Sequence, residues 1–395
     1  VTSQLTGRST GLVVNTSEIE GSFLNSDGTN STVEASKIAI GSGKTVVMTA
    51  GGSGLCDFSF KTAIDLLNSA GEEKSPKEVL DRLLAPTGYP ALCAQAGLPK
   101  GRLTQNAICG LIQCLDDASG NVILAPLTKK PGQAPTRGDV DDFLHLFEEV
   151  VKKTPVDKTL KGPDVADVIK SIAGLKGPTA VEHLGNDVGI SLTMTDEQAQ
   201  KLHELEAATL LLSYSGRDDT LLTASGFGSS QVVPAIATAK VIACIETDDG
   251  PKMIHSLVDD DPAINGVSTR VTFPAQDSIM QAEIHGVSRY FAQDVVNIAV
   301  DGATKVFKAK DEEIADFRDG LAHIINDWMD DRTNNFLRIF GAMGEASAAQ
   351  MGELMVRMQE LTAAMSDTQA TCGGFVEVLT ITKVGGIRWH RRFES

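Results

Sequence analysis

From Asp311 to Met365 the apolar residues return at helical spacing for most of the run, and no other feature constrains the chain as much. Ile314, Phe317, Leu321, Ile324, Ile325, Trp328 and Met329 share one register. Met351, Leu354, Met355, Met358, Leu361 and Met365 then fall at i, i+3, i+4, i+7, i+10 and i+14. That period puts each set on one face of a helix, with Glu353, Arg357 and Glu360 facing elsewhere. The methionine stripe packs either as core of the same subunit or as a seam against a neighbour, and the spacing serves both. Between the two helices lies Phe336-Leu-Arg-Ile-Phe-Gly-Ala-Met-Gly, an aromatic turn broken by glycine.

The preceding part of the chain also reads as helices joined by Pro and Gly turns. Ser75, Pro76 and Glu78 carry the N-cap, first-turn proline and N3 glutamate of a capping box, followed by Val79, Leu80, Leu83 and Leu84. Asp139 to Val151 aligns Val140, Phe143, Leu144, Phe147, Val150 and Val151, and Thr195 with Gln198 caps a further helix. Ala235 to Ile245 is an apolar, buried segment, and a helix is expected from Ile279 to Val300. Strand signals are few. Lys37-Ile-Ala-Ile and Lys44-Thr-Val-Val-Met-Thr flank Gly-Ser-Gly as a β-hairpin, and Phe375 to Lys383 alternates as a strand. The acidic stretch from Glu246 to Asp261 contains Gly250-Pro251 and Asp261-Pro262 and marks a boundary between lobes. The expected fold is therefore mainly α: two helical lobes, a small β-hairpin near the N-terminus, and terminal arms. The divisions are an N-terminal arm 1–35, an N-lobe 36–248, a C-lobe 249–371 and a C-terminal arm 372–395.

Several function classes are disfavoured. A net charge of −17 argues against a protein that coats nucleic acid with its whole surface, though a local basic groove remains compatible with it. No apolar run approaches the roughly 20 residues needed to span a bilayer, so no membrane partner is expected, and the first residues lack a signal-peptide pattern. The six cysteines (Cys56, Cys93, Cys109, Cys114, Cys244, Cys372) form no Cys-x-x-Cys and read as reduced structural thiols. Seven scattered histidines show no ligand spacing, so neither a metal nor another cofactor is expected. Gly-Ser-Gly-Lys-Thr at 41–45 lacks the first glycine of a phosphate loop, Ile38 standing there, and a strand follows it rather than a helix. No Gly-x-Ser-x-Gly elbow occurs, no catalytic residue is assigned, and the chain is not expected to be an enzyme.

The cations say more. Six lysines face three acids between Lys152 and Lys176, a local excess inside an acidic chain, and Arg388, Arg391 and Arg392 lie beside Trp389 and Phe393. Mobile cations bind phosphates, and aromatics stack bases or anchor a partner. Phe340-Gly341-Ala342-Met343-Gly344, after Phe336-Leu-Arg-Ile, resembles the aromatic-x-Ala-Met-Gly segment of nucleoproteins of non-segmented negative-strand RNA viruses. The resemblance implies a protein that polymerises through exchanged terminal arms and clamps single-stranded RNA between two lobes, without base specificity. Phe340, Ala342, Met343 and Gly344 would then shape the cleft. Lys152, Lys153, Lys158, Lys161, Lys170, Arg289, Lys305, Arg338 and Arg357 would line it. The viral polymerase or phosphoprotein would be a further partner, and the virion and host cytoplasm the location. Two rivals stand beside this reading: a capsid protein that encloses a genome without gripping it, and an enzyme whose site is the N-terminal hairpin or the lobe boundary.

Overall fold

Two five-stranded antiparallel sheets, rather than two helical lobes, organise the chain. The structure is a computed structural model. It describes all residues except 1–3, 19, 25–29, 35, 52–53, 56–57, 68–72, 97–101, 109–110, 129–132, 163–164, 174–191, 215–218, 261–268, 273–281, 283, 308–310, 366–373 and 394–395. The chain opens with β1 (Gln4–Arg8), β2 (Leu12–Glu18), β3 (Glu20–Leu24), β4 (Asn30–Glu34), β5 (Ile38–Ser42), β6 (Thr45–Ala50), β7 (Gly54–Leu55) and β8 (Phe58–Ser59). Helices α1 (Phe60–Leu67), α2 (Pro76–Leu84), α3 (Tyr89–Gln95), α4 (Arg102–Ile108) and α5 (Leu111–Ala118) follow. Next come α6 (Ala125–Thr128), α7 (Arg137–Lys153), α8 (Val165–Ala173) and α9 (Asp196–Thr209). Strands β9 (Thr220–Gly226), β10 (Ala235–Thr247), β11 (Gly250–Asp260) and β12 (Arg270–Thr272) lead to α10 (Arg289–Gly302) and a π-helical turn (Ala303–Phe307). The chain closes with α11 (Asp311–Gly341), α12 (Glu345–Met365), β13 (Val376–Thr382) and β14 (Gly386–Arg391).

The first sheet runs β12-β1-β2-β13-β14 and the second β11-β10-β9-β6-β5. They stack face to face: Val13, Leu379 and Ile381 of the first meet Ile38, Val46 and Met48 of the second, with Phe227. The alternate residues of the same strands point outward, as a period of two requires. On the first sheet Leu5, Val376 and Val378 receive Ala349, Met355 and Val356 of α12, while Leu12 and Val14 receive Phe340 and Ala348. On the second sheet Val47, Leu222, Ala224, Ala237 and Ala239 receive α1, α2 and α3. Farther along, Ala243, Ile245 and Ile254 receive the cluster built by α5, α7, α8 and α9. The result is four layers, helix–sheet–sheet–helix, each apolar face covered by the next.

The mainly α expectation is corrected here, and the reasons are local. The supposed N-terminal arm contains β1 and β2, two inner strands of the first sheet, and the supposed C-terminal arm supplies β13 and β14 beside them. Their inward faces are largely polar, so the alternation reads as an unburied segment. Ala235 to Ile245, grouped with the helices, belongs to strand β10; Thr238 and Lys240 alternate with Ala237, Ala239 and Val241, but the continuous apolar run Val241 to Ile245 masks that signal. The residues taken as a lobe boundary include the turn of the β10–β11 hairpin, where Thr247 pairs with Gly250.

Other expectations hold. The β5–β6 hairpin is present, as are the capping boxes at Ser75 and Thr195, and α7 buries Val140, Phe143, Leu144 and Phe147. The methionine helix packs on the sheet, but with a shifted face. Ala348, Gly352, Met355, Val356 and Gln359 are buried, whereas Leu354 and Leu361 are 55% and 62% exposed. Small residues decide this: a β-carbon on Gly352 would stand 2.5 Å from Thr16 Oγ1, so glycine there lets α12 lie close against β2.

Candidate functional site

Inward-facing positions of a two-sheet core are ordinarily apolar, because a buried polar group loses its water and needs a replacement partner. At one end of this sandwich they are polar across three adjacent strands. Gln4 of β1 is paired in register with Ser17 of β2, and Ser17 with Glu377 of β13; all three are fully buried. Gln4 Nε2 donates to Ser17 Oγ at 3.2 Å and crosses to the second sheet to donate to Thr49 O at 2.6 Å. Glu377 Oε2 accepts from Ser36 Oγ at 2.7 Å, and Oε1 accepts from Phe393 N at 3.3 Å. Half-buried Lys37 follows Ser36, and its carbonyl accepts from Thr49 N at 3.1 Å.

Along β1 the polar face continues to fully buried Arg8, in register with Val13, while β2 and β13 turn apolar. One row deeper, Thr6 Oγ1 donates to Asn15 Oδ1 at 3.0 Å, and Ser225 Oγ of the second sheet donates to the same oxygen at 2.8 Å. Beyond lie Val13, Leu379 and Ile381, which seal the sandwich. Three buried atoms in this region, Gln4 Oε1, Asn15 Nδ2 and Thr223 Oγ1, have no protein partner, which is the condition that holds ordered water or a ligand group. On the second sheet Lys240 Nζ pairs with Asp219 at 2.7 Å. Gly51 turns the chain out of β6 with φ +82, and a β-carbon there would meet Asp219 O at 2.7 Å. Only glycine fits both the left-handed backbone and that approach.

Glu377 dominates the electrostatics. Burial pushes its carboxyl above the usual range; the hydrogen bonds from Ser36 and from Phe393 N–H, with the charges of Arg392 and Lys61, pull it partly back. A carboxyl raised by burial holds its proton more tightly than an exposed one does, and perturbed carboxyls of this kind occur at acid–base sites. Among the described residues no group of His, Cys, Asp and Glu is placed to hold a metal ion, and no helix is long and apolar enough to cross a membrane.

The cations assigned to an RNA cleft are distributed over both outer layers. Lys152 and Lys153 end α7 and pair with Glu148 at 2.7 Å and Glu149 at 3.1 Å. Exposed Lys158 lies in the following turn, Lys161 bridges by its backbone to His255 of β11, and Lys170 of α8 pairs with Asp248. These five lie on the side of the second sheet. Arg289 begins α10, Lys305 pairs with Asp301 at 2.8 Å, and Arg338 Nη2 donates to Asn335 at 2.9 Å. Arg357 of α12 pairs with Glu353 at 3.0 Å and lies on the side of the first sheet. Both sheets thus stand between the lysine group and Arg357, and the structure does not bring the set together.

Of the cleft-shaping residues, Phe340 is buried as the penultimate residue of α11, its ring over Gly7. Ala342 and Met343 make the turn to α12, and Ala342 and Gly344 are exposed.

Sequence reasoning missed Gln4, Ser17, Ser36 and Glu377. A usable signal exists: Gln4, Thr6 and Arg8 alternate with Leu5 and Gly7, and Glu377 stands between Val376 and Val378. The rule that sends the polar face of a strand to solvent points those side chains the wrong way. No family model matches the chain, and no curated protein or solved structure matches it either.

Proposed function

We propose that the protein is a hydrolase that cleaves an amide or ester bond by acyl transfer at the polar end of the sandwich. The observation that carries this reading is the buried row Gln4–Ser17–Glu377, with Ser36 on the carboxyl and unpartnered polar atoms behind it. The sequence enters β1 through Thr2 and Ser3, two hydroxyl residues that lie outside the described residues. We assign the nucleophile to Thr2, the hydroxyl residue two positions before Gln4 in the sequence.

In this reading the Thr2 hydroxyl oxygen bonds to the substrate carbonyl carbon and its proton passes to the acid–base group. Glu377 fills that role, with Ser36 in its hydrogen bond and the charges of Arg392 and Lys61 acting on it. The carbon–nitrogen or carbon–oxygen bond then breaks, and the leaving group takes the proton. Water hydrolyses the acyl ester and restores the hydroxyl. The logic is that of hydroxyl nucleophiles paired with amine or carboxyl partners on other folds.

Turnover of a chromogenic activated ester tests the proposal. The expected result is saturable hydrolysis by the full chain, loss to background in Thr2→Ala, partial retention in Thr2→Ser, and a fall of about 100-fold in Glu377→Gln. Equal rates in Thr2→Ala and the unmodified chain would remove the assigned nucleophile.

A further inference from the structure

Helices α10 and α11 form a hairpin that leaves the four-layer body. Between 312 and 328 no residue of α11 is buried, although that stretch spans most of a helix about 46 Å long. In proteins a helix draws most of its stability from the packing of an amphipathic face. The uncovered face is apolar: Phe317, Ile324 and Trp328 at i, i+7 and i+11 are 45%, 65% and 47% exposed, and Phe291 and Ile298 of α10 are 59% and 72% exposed. Contiguous patches of this kind mark interaction sites.

Charge identifies the occupant. From Asp311 to Gly341 there are eight acidic residues against three basic ones. The segment 383–392, which contains β14, has four basic residues (Lys383, Arg388, Arg391 and Arg392) and no acidic one. Three of them face acids of the same copy, Arg388 with Glu345 at 3.9 Å, Lys383 with Glu73 at 3.9 Å and Arg391 with Glu353. Arg388 is still 70% exposed at its side chain, and exposed Arg392 lies over the Trp389 ring at 5.3 Å. Within one molecule the two regions do not meet. The end of α11 sits over β1 and beside Thr269, next to the β12 edge of the first sheet. Strand β14 is the opposite edge, four strand spacings or about 19 Å away.

We propose that copies of this chain associate head to tail, the acidic apolar α10–α11 hairpin of one docking on the basic β14 edge of the next. Such a contact joins two different surfaces, so it repeats into a ring or a filament rather than closing as a two-fold dimer. It is independent of the hydrolase reading, which concerns the interior of a single copy.

Sedimentation velocity in low and high salt tests it with two charge reversals, Arg388→Glu with Arg392→Glu and Asp327→Lys with Asp331→Lys. The unmodified chain is expected to form oligomers in low salt that dissociate as salt rises. Each reversed variant alone is expected to sediment as a monomer with an unchanged circular dichroism spectrum. An equimolar mixture of the two regains association, because each reversed surface then meets its complement, and regained association also shows that both variants are folded. A monomeric unmodified chain in low salt, oligomers indifferent to either reversal, or a mixture that stays monomeric would each overturn the proposal.

Discussion

Replacing Gly226 by alanine is expected to destabilise the folded protein by a large share of its total stability. Gly226 ends β9 and sits in register with Ala235 of β10 on one side and Thr45 of β6 on the other. Its φ is +146, and a β-carbon would lie 2.0 Å from Lys44 O and 2.8 Å from Thr45 Cα. Both atoms are backbone, and Lys44 O already accepts from Phe227 N at 2.9 Å. No side-chain rotation relieves the clash; a strand of the second sheet must shift. Backbone strain and a lost inner ladder together amount to about 4 kcal/mol or more, against a total stability of about 5–15 kcal/mol for a typical domain. Gly120→Ala is the control, since its φ of +83 is also left-handed but no atom lies within 4 Å of the added carbon. It is expected to cost about 1 kcal/mol. Chemical denaturation of the two variants checks the contrast, and equal midpoints would contradict the assigned backbone contact.

Glu206→Gln is expected to act in the opposite direction, and only above mildly acidic pH. Glu206 lies in α9 with 2% of its surface exposed, its Oε2 has no hydrogen-bond partner, and burial raises its pKa from 4.5 to about 8. Between those values the folded protein keeps a proton that the unfolded chain has released. Rising pH therefore favours unfolding across that window, and the effect levels off above about 8. The accumulated penalty is about 3 kcal/mol at pH 7, from about 1.4 kcal/mol per pH unit. Glutamine keeps the shape and has no proton to lose. Its stability advantage should be near zero at pH 4.5, grow with pH to about 3 kcal/mol at neutrality, and reach its ceiling above pH 8. Unfolding curves collected across that range check the slope; a constant difference between the two proteins would refute the buried, protonated state.

Much of the helical layer was legible from the sequence because its signals are local. Ser75 and Thr195 announce their capping boxes, and Val140, Phe143, Leu144 and Phe147 repeat at helical spacing. The β5–β6 hairpin and β13 were legible for the same reason. The central strands were not. β1 and β2 place Gln4, Thr6, Asn15 and Ser17 between two sheets, and a polar inward face makes a core strand look like an exposed arm. β10 erred in the opposite sense, since the apolar run Val241 to Ile245 hides the short alternation of Ala237 to Val241.

The candidate site was illegible because it is assembled across distance. Ser36 and Glu377 are 341 residues apart in the chain, and only the register of β13 beside β2 brings them together. The aromatic turn at Phe340 also changed meaning. Phe340 anchors α11 on Gly7 of β1, and this contact carries the hairpin that projects beyond the body. The one enzyme reading that sequence reasoning attached to the N-terminal hairpin lies nearest to the present one, though through Ser36 and Lys37 at its start rather than Lys44 at its tip. Lys44 is held in an ion pair with Glu73 at 2.7 Å.

The most direct test of the hydrolytic reading is covalent. The full chain is incubated with an activated ester, quenched in acid, and its intact mass is measured before proteolysis locates any acyl group. The account predicts one added acyl group on the peptide containing Thr2, absent in Thr2→Ala and present in Thr2→Ser. An unmodified mass throughout, or an acyl group that persists in Thr2→Ala, would contradict it.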